Sequence, residues 1–382
     1  VNRKLASLVE VAWARKPQIA LNRCMKTSFS SGAEIRRVHL EPTSYCNARC
    51  PICPRNDHGV ADPRVVQHHL SLAEVKQIFS AEFISELELF LCEGNFGDPI
   101  MNPQLADILW YFAEANPQLK LEVTTNGGAR SETWWQQLAA VPNLTVRFSI
   151  DGLEDTNHLY RQDVDWQVLQ RNFGAFIAAG GDAQWKFIVF DHNQHQAAQA
   201  QQLADAWGFS LFSMENHGRS VGIAFDKDGN LSHTIGDWQG DTDYARVSRI
   251  LAYDQTDTGK HMPASRRPAD SIDCSHINSI YVDSRGFVYP CCFTAFANPD
   301  YSVYNPETVQ LRKFIRRNNA LRHGLAKSIK WFQQLEHSWQ QSSVDKGRCS
   351  RCENTCGVWK DQSVESTSQV RNHHRIKINL KE

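Results

Sequence analysis

Cys46, Cys50 and Cys53 stand in the run EPTSYCNARCPICPRN, spaced Cys-x3-Cys-x2-Cys. Thiolates so spaced can hold three corners of a [4Fe-4S] cube, since cysteine is the usual ligand of such clusters. Three ligands leave the fourth iron open to a small molecule. The same thiols joined by His58 would instead make a closed Cys3His zinc site. A second set lies far along the chain: Cys274, the pair Cys291-Cys292, and Cys349, Cys352 and Cys356 in KGRCSRCENTCGVWK. Two separated cysteine pairs fit either an iron-sulfur cluster or a zinc ribbon. Eleven cysteines in a chain of 382 residues speak for metal ligation rather than a disulfide framework, which is mostly a device of short secreted domains. Cys24 and Cys92 stand alone and read as small hydrophobes.

The elements that must position these thiols alternate. Residues 36–214 carry six strand-like segments: VHLEPT, ELELFLCEG, KLEVTTNGG, NLTVRFSIDG, AQWKFIVF and FSLFSM. Helical periodicity fills the intervals, beginning with LSLAEVKQIFSAEF (70–83), where Ser71 and Glu74 form a capping-box pattern. Strands alternating with helices predict a parallel sheet with crossover helices. The first cysteine loop then follows the first strand, on the face where barrel enzymes build their sites. From residue 215 to 270 the periodicity loosens around a hairpin turn at KDGN (227–230), and INSIYVDSRGFVYPCC predicts a hairpin about Ser284-Arg285-Gly286. The division expected is an N-terminal helical extension (1–35), a core (36–214), a linker region (215–270), a cysteine-bearing domain (271–360) and a polar tail (361–382).

The Cys46, Cys50, Cys53 motif resembles the signature of the radical S-adenosylmethionine (SAM) superfamily, with Ile52 where an aromatic residue usually precedes the third cysteine. The resemblance implies an α/β fold: a partial (β/α)6 radical SAM barrel with a small C-terminal cluster-binding α+β domain. It further implies a [4Fe-4S] cluster on those thiols, SAM on its open iron, and reductive cleavage to a 5'-deoxyadenosyl radical that takes a hydrogen atom from substrate. Four strand-end segments look like family SAM contacts. Gly94, Asn95, Gly97 and Asp98 lie in a variant of the GGEP segment, with Asp98 as the acid near the methionyl amine. Thr125 and Asn126 resemble a TNG segment, and Ser149 and Asp151 an SxDG segment. Arg161 matches an arginine that pairs with the SAM carboxylate, and Asn193 lies where family members reach the adenosine. Ordinary turns, a solvated charge at Arg161 and a helix cap at Asn193 are the plain alternatives. Cys274-x11-Gly286-x4-Cys291 followed by Cys349-x2-Cys352 is similar to the SPASM/Twitch extension. That similarity implies one auxiliary [4Fe-4S] cluster on Cys274, Cys291, Cys349 and Cys352, with Cys356 as a substitute ligand.

Composition narrows the partners. Net charge is −1, with 41% hydrophobic and 22% charged residues, which gives no global electrostatic case for nucleic acid or an anionic membrane. No stretch approaches the roughly 20 apolar residues of a membrane span, and the N-terminal VNRKLASLVEVAWARK lacks a signal-peptide core, so a cytoplasmic protein is expected. The basic segment LRKFIRRNNALRHGLAKSIK (311–330) reads as an amphipathic helix with a solvated face. The resemblance implies a flavodoxin- or ferredoxin-like electron donor and a peptide or protein substrate. A small molecule such as a sugar is the alternative substrate, and a non-catalytic iron-sulfur or zinc scaffold the alternative class.

Overall fold

The computed structural model describes residues 35–216, 222–226, 228–235, 268–274, 276–297, 310–312, 317–358 and 376–379. The expected N-terminal extension, except Ile35, and much of the linker lie outside the described residues. Six strands form the centre: β1 (Arg37–Leu40), β2 (Leu89–Cys92), β3 (Lys120–Thr125), β4 (Leu144–Ser149), β5 (Asp182–Val189) and β6 (Leu211–Asn216). Each pairs in parallel with the next, in chain order. This is the mostly parallel α/β sheet expected of a partial barrel, with helices as crossovers.

Alternation along each strand separates two faces. Val38 and Leu40, Phe90 and Cys92, Leu121 and Val123, Val146 and Phe148, and Trp185 and Phe187 are buried. Leu105, Ile108, Leu109 and Phe112, on the helix Leu105–Ala115, join the same core. The opposite face is mostly polar, with Leu91 and Ile188 among its residues. Register places His39 beside Leu91, Leu91 beside Glu122, Thr124 beside Arg147, Arg147 beside Gln184, Lys186 beside Ser213 and Ile188 beside Glu215. Arg147 pairs with Glu122 at 2.7 Å. Lys186 on β5 lies 3.2 Å from Glu215 and 3.9 Å from Glu93, which follows β2. In a flat sheet strands three apart would be about 14 Å from one another, so this ion pair spans a curled lumen.

Two later segments extend the sheet. β9 (Ser279–Val282) adds in parallel to β1 and carries β10 (Val288–Tyr289) in antiparallel beyond it, the hairpin expected from sequence. At the other edge β11 (Ile376–Asn379) pairs antiparallel with β6, so the polar tail contains a strand. Within the linker region β7 (Gly222–Phe225) and β8 (Leu231–Ile235) form the hairpin anticipated around KDGN.

Local chemistry corrects two expectations. The helix read over 70–83 breaks at Phe79. Leu72–Ile78 carries the Ser71/Glu74 capping box, and Ser80 caps a separate turn, Ala81–Ile84, by accepting from the Phe83 amide. The basic segment is not one helix either: Gly324, at φ +73°, separates Ala320–His323 from Leu325–Ser328. Residues 313–316 of that segment lie outside the described residues.

Asp283 opens the β9–β10 turn. Its Oδ1 accepts from the Arg285 and Phe287 amides at 2.9 and 3.0 Å, while Oδ2 meets no partner among the described residues. Burial pushes this carboxyl up to about 7 from 3.8. The folded protein therefore holds a proton that the unfolded chain releases, so stability falls as pH rises from about 4 through about 7 and then levels. Asp283→Asn should flatten that slope, read as a smaller drop in Tm between pH 5 and pH 8 than the parent shows.

Candidate active site for S-adenosylmethionine chemistry

The cysteine loop leaves β1 through Glu41 and Pro42, and its three thiols each meet a loop from a different strand end. Cys46 Sγ lies 3.9 Å from Asn126 Nδ2, after β3. Cys50 Sγ accepts from an Arg161 guanidinium nitrogen at 3.6 Å, after β4. Cys53 Sγ donates toward the Asn95 carbonyl at 4.0 Å, after β2. A parallel sheet puts all strand C-terminal ends on one face, and the convergence follows from that.

Close packing of these loops requires glycine. A Cβ on Gly97 would be driven into the Thr43 carbonyl oxygen, and one on Gly94 would stand 2.7 Å from Glu41 Oε1 and strike the Gly97 carbonyl. Asp98, buried, accepts from Thr125 Oγ1 at 2.8 Å, the Asn126 amide at 2.7 Å and Asn126 Nδ2 at 2.6 Å. Its carboxylate therefore staples the loop after β2 to the loop after β3, a bracing task that the sequence did not display. Asn126 also exchanges hydrogen bonds with Asn47 of the cysteine loop, at 2.9 and 3.2 Å.

Arg161 is no solvated surface charge. Its Nε donates to Asp151 Oδ2 at 2.7 Å, and Asp151 is fully buried. Burial raises the Asp151 carboxyl and the arginine pulls it back. Asp151 Oδ1 also accepts from the Ile188 amide at 2.6 Å, tying the end of β4 to β5. Asn193 is buried and acts as a brace: its Nδ2 donates to the Asp151 and Ile188 carbonyls, each at 2.9 Å, and its Oδ1 accepts from the Phe190 amide. It caps no helix through its side chain. Ser149 ends β4, buried beside Lys186 in the register.

Among the described residues no three His, Cys, Asp or Glu side chains already form a metal cage. The donor set still fits an iron-sulfur cluster: three thiols on one loop, half-buried or buried, with the Ala48 amide 3.4 Å from Cys46 Sγ. Burial pushes the Cys46 thiol well up and Cys50 to about 11, the latter offset by Arg161. Ligation by these thiols would release protons. His58, at φ +53°, follows in a two-residue hairpin (56–57 with 60–61), and its carbonyl accepts from the Phe225 amide.

The second cysteine set also gathers. One pocket is lined by Cys274, Cys291, Cys352 and Cys356 together with Trp339 and Leu335. Cys274 lies close to Cys356, and Cys349 close to Cys352. Cys349 caps the helix Ser350–Cys356, so Cys349, Cys352 and Cys356 share one helical face at i, i+3 and i+7. Cys292 stands apart from that lining, and its carbonyl accepts from Asn95 Nδ2 at 2.9 Å. Sequence reasoning missed Glu41, Asn47, Glu93, Lys186 and Glu215. Only the Glu in HLEPT, alone at the end of an apolar strand, gave any signal.

Residues 40–195 match the Radical SAM superfamily model. The chain carries a radical SAM domain. Such a domain implies a [4Fe-4S] cluster and SAM, which the cysteine loop and its surrounding strand ends fit. Among solved structures, anSMEcpe with bound AdoMet and Cp18Cys peptide shares 15% identity over 86% of this chain and 92% of its own, at a TM-score of 0.48. SuiB of Streptococcus suis bound to S-adenosylmethionine shares 16% over 84% and 77%, at 0.45. BtrN in complex with AdoMet and 2-DOIA shares 13% over 87% and 98%, at 0.41. No curated protein matches the chain.

Gly97→Ala should force the radical SAM loop away from Thr43 and cost about 1–3 kcal/mol, as overpacking does. Gly174→Ala, where a Cβ meets nothing within 4 Å on the helix Trp166–Ala178, should instead stabilise by about 0.5–1 kcal/mol. Thermal melts of the two variants beside the parent check both signs.

Proposed function

We propose that this protein is a radical SAM enzyme that reductively cleaves S-adenosylmethionine and removes a hydrogen atom from a peptide or protein substrate. The observation that carries the reaction class is the convergence of three strand-end loops, each on a different thiol of the cysteine loop. Cys46, Cys50 and Cys53 are assigned to the cluster. When bound, the cluster supplies the electron that splits SAM into methionine and a 5'-deoxyadenosyl radical. Backbone of Gly94, Asn95 and Gly97 approaches SAM where side chains could not, and Thr125, Asn126 and Ser149 flank it. Arg161, oriented by Asp151, is assigned to the SAM carboxylate through a charge-assisted pair. Asp98 and Asn193 act by holding these loops.

A second [4Fe-4S] cluster is proposed on Cys274, Cys291 and Cys352. Its fourth ligand is Cys356, which lines the pocket, in place of the expected Cys349, which is absent from that lining. Residues 271–360 then form the auxiliary domain of an oxygen-sensitive cytoplasmic oxidoreductase served by a flavodoxin- or ferredoxin-like donor. One observation favours a second substrate reading. The Lys186 contacts with Glu93 and Glu215 make the inner face of the sheet polar, which suits dehydrogenation or epimerisation of a small hydroxylated molecule.

Anaerobically reconstituted and reduced protein should convert SAM to 5'-deoxyadenosine, and the Cys46/Cys50/Cys53→Ala variant should make none. Absence of product together with absence of SAM binding to cluster-loaded protein would leave a scaffold. Iron analysis should return about eight irons per chain, two [4Fe-4S] clusters; about four irons and one zinc would make the second site a zinc ribbon.

A further inference from the structure

Glu41 is the most enclosed carboxylate at the open face that no step above uses. It follows β1, is 0% exposed, and lies at the junction of three segments. Its Oε1 accepts the Phe96 and Gly97 amides at 2.6 and 2.9 Å. Its Oε2 accepts the Tyr281 hydroxyl in a short hydrogen bond. Tyr281 belongs to β9, 240 positions along the chain, and is itself fully buried. Arg55, from the cysteine loop, grips the other side of the same peptide run by donating to the Phe96 carbonyl at 3.0 Å.

All three groups on Glu41 are donors, so an ionised carboxylate satisfies them together. An amide in its place has one acceptor atom and turns an NH2 toward a donor, which leaves buried groups unpaired. Burial pushes the Glu41 carboxyl up to about 7, and its three donors and Arg55 oppose that rise. Nothing about the fold of β1 requires a charge at this depth, and the groups it holds belong to the loop facing Cys53. Two further contacts tie the same face to the C-terminal region: Asn95 Nδ2 to the Cys292 carbonyl at 2.9 Å, and His68 Nδ1 with the Ser284 carbonyl at 2.8 Å.

We propose that Glu41 is a positioning residue for SAM, holding the Gly94–Asp98 loop by its amides, and that Tyr281 orients Glu41 so that docking of the C-terminal region shapes the SAM platform. The proposal rests on the assignment of that loop to SAM. It makes the 279–292 region a part of cofactor binding, distinct from any redox task of its cysteines.

The test uses full-length Glu41→Gln and Tyr281→Phe. Hydrogen exchange of residues 94–98 is measured on the cluster-free protein. SAM equilibrium binding and the SAM-induced change in the electron paramagnetic resonance signal are measured on the reconstituted, reduced protein. Glu41→Gln should speed exchange at Phe96 and Gly97, keep parental iron content, weaken SAM binding about tenfold, as loss of one charge-assisted contact does, and diminish the spectral change. Tyr281→Phe should shift the same readouts in the same direction by about threefold, and it carries the test if Glu41→Gln fails to fold. Unchanged exchange and unchanged SAM binding in both variants would overturn the role of Glu41. Faster exchange with parental SAM binding would overturn the assignment of the loop to SAM instead, and with it the link between Glu41 and the cofactor.

Discussion

Buried carboxylates cannot stand without donors, and the open face of this protein is organised by how three of them are satisfied. Glu41 takes amides from the loop after β2, Asp98 takes a hydroxyl and an amide from the loop after β3, and Asp151 takes an amide from β5 and the guanidinium of Arg161. Each carboxylate sits at one strand end and is answered from the next strand or beyond. The result is a stitched rim in which the displacement of any loop would strand a charge. The thiols of the cysteine loop lean on that rim, so their arrangement depends on polar satisfaction as much as on apolar packing.

Much of this was legible in the sequence, and unevenly so. Six strands in order, the Ser71 cap and the cysteine spacing are local signals, and local signals survive without coordinates. The face shared by Cys349, Cys352 and Cys356 was not read, because KGRCSRCENTCGVWK carries no clear helical periodicity and the helix Ser350–Cys356 came only with the structure. What the sequence could not show is which side chains meet across distance. Lys186 on β5 and Glu93, just after β2, are 93 positions apart in the chain, and only the curl of the sheet brings them to 3.9 Å. Asp98 was read by resemblance as a group facing SAM, yet its oxygens are engaged by Thr125 and Asn126. Asn193 was read by resemblance as reaching the adenosine, with a helix cap as the alternative, and its hydrogen bond to the Asp151 carbonyl depends on a crossover that no local pattern records.

The C-terminal region illustrates the same limit. Its hairpin and its cysteines could be read, but its parallel attachment to β1 could not, since strand pairing between distant segments leaves no periodic trace. That attachment makes the cysteine-bearing segment continuous with the sheet that carries the first cysteine loop. The two candidate centres are therefore linked by rigid backbone, and the peptide joining Cys291 to Cys292 passes from the wall of one pocket to a hydrogen bond with Asn95 of the other site.

The pairing of β1 with β9 also sets a timetable for biosynthesis. Arg37 is opposite Ser279, so the first strand emerges from the ribosome 242 residues before its outer neighbour. At about 5–20 residues per second that interval is on the order of 10 to 50 seconds. Through it β1 presents a bare row of amide and carbonyl groups, and the β6 edge, made later, is covered later, when Ile376–Asn379 emerges. Such edges are templates for pairing with other chains. The nascent domain thus passes through a vulnerable stage that ends only when Ser279–Val282 and Ile376–Asn379 cover β1 and β6.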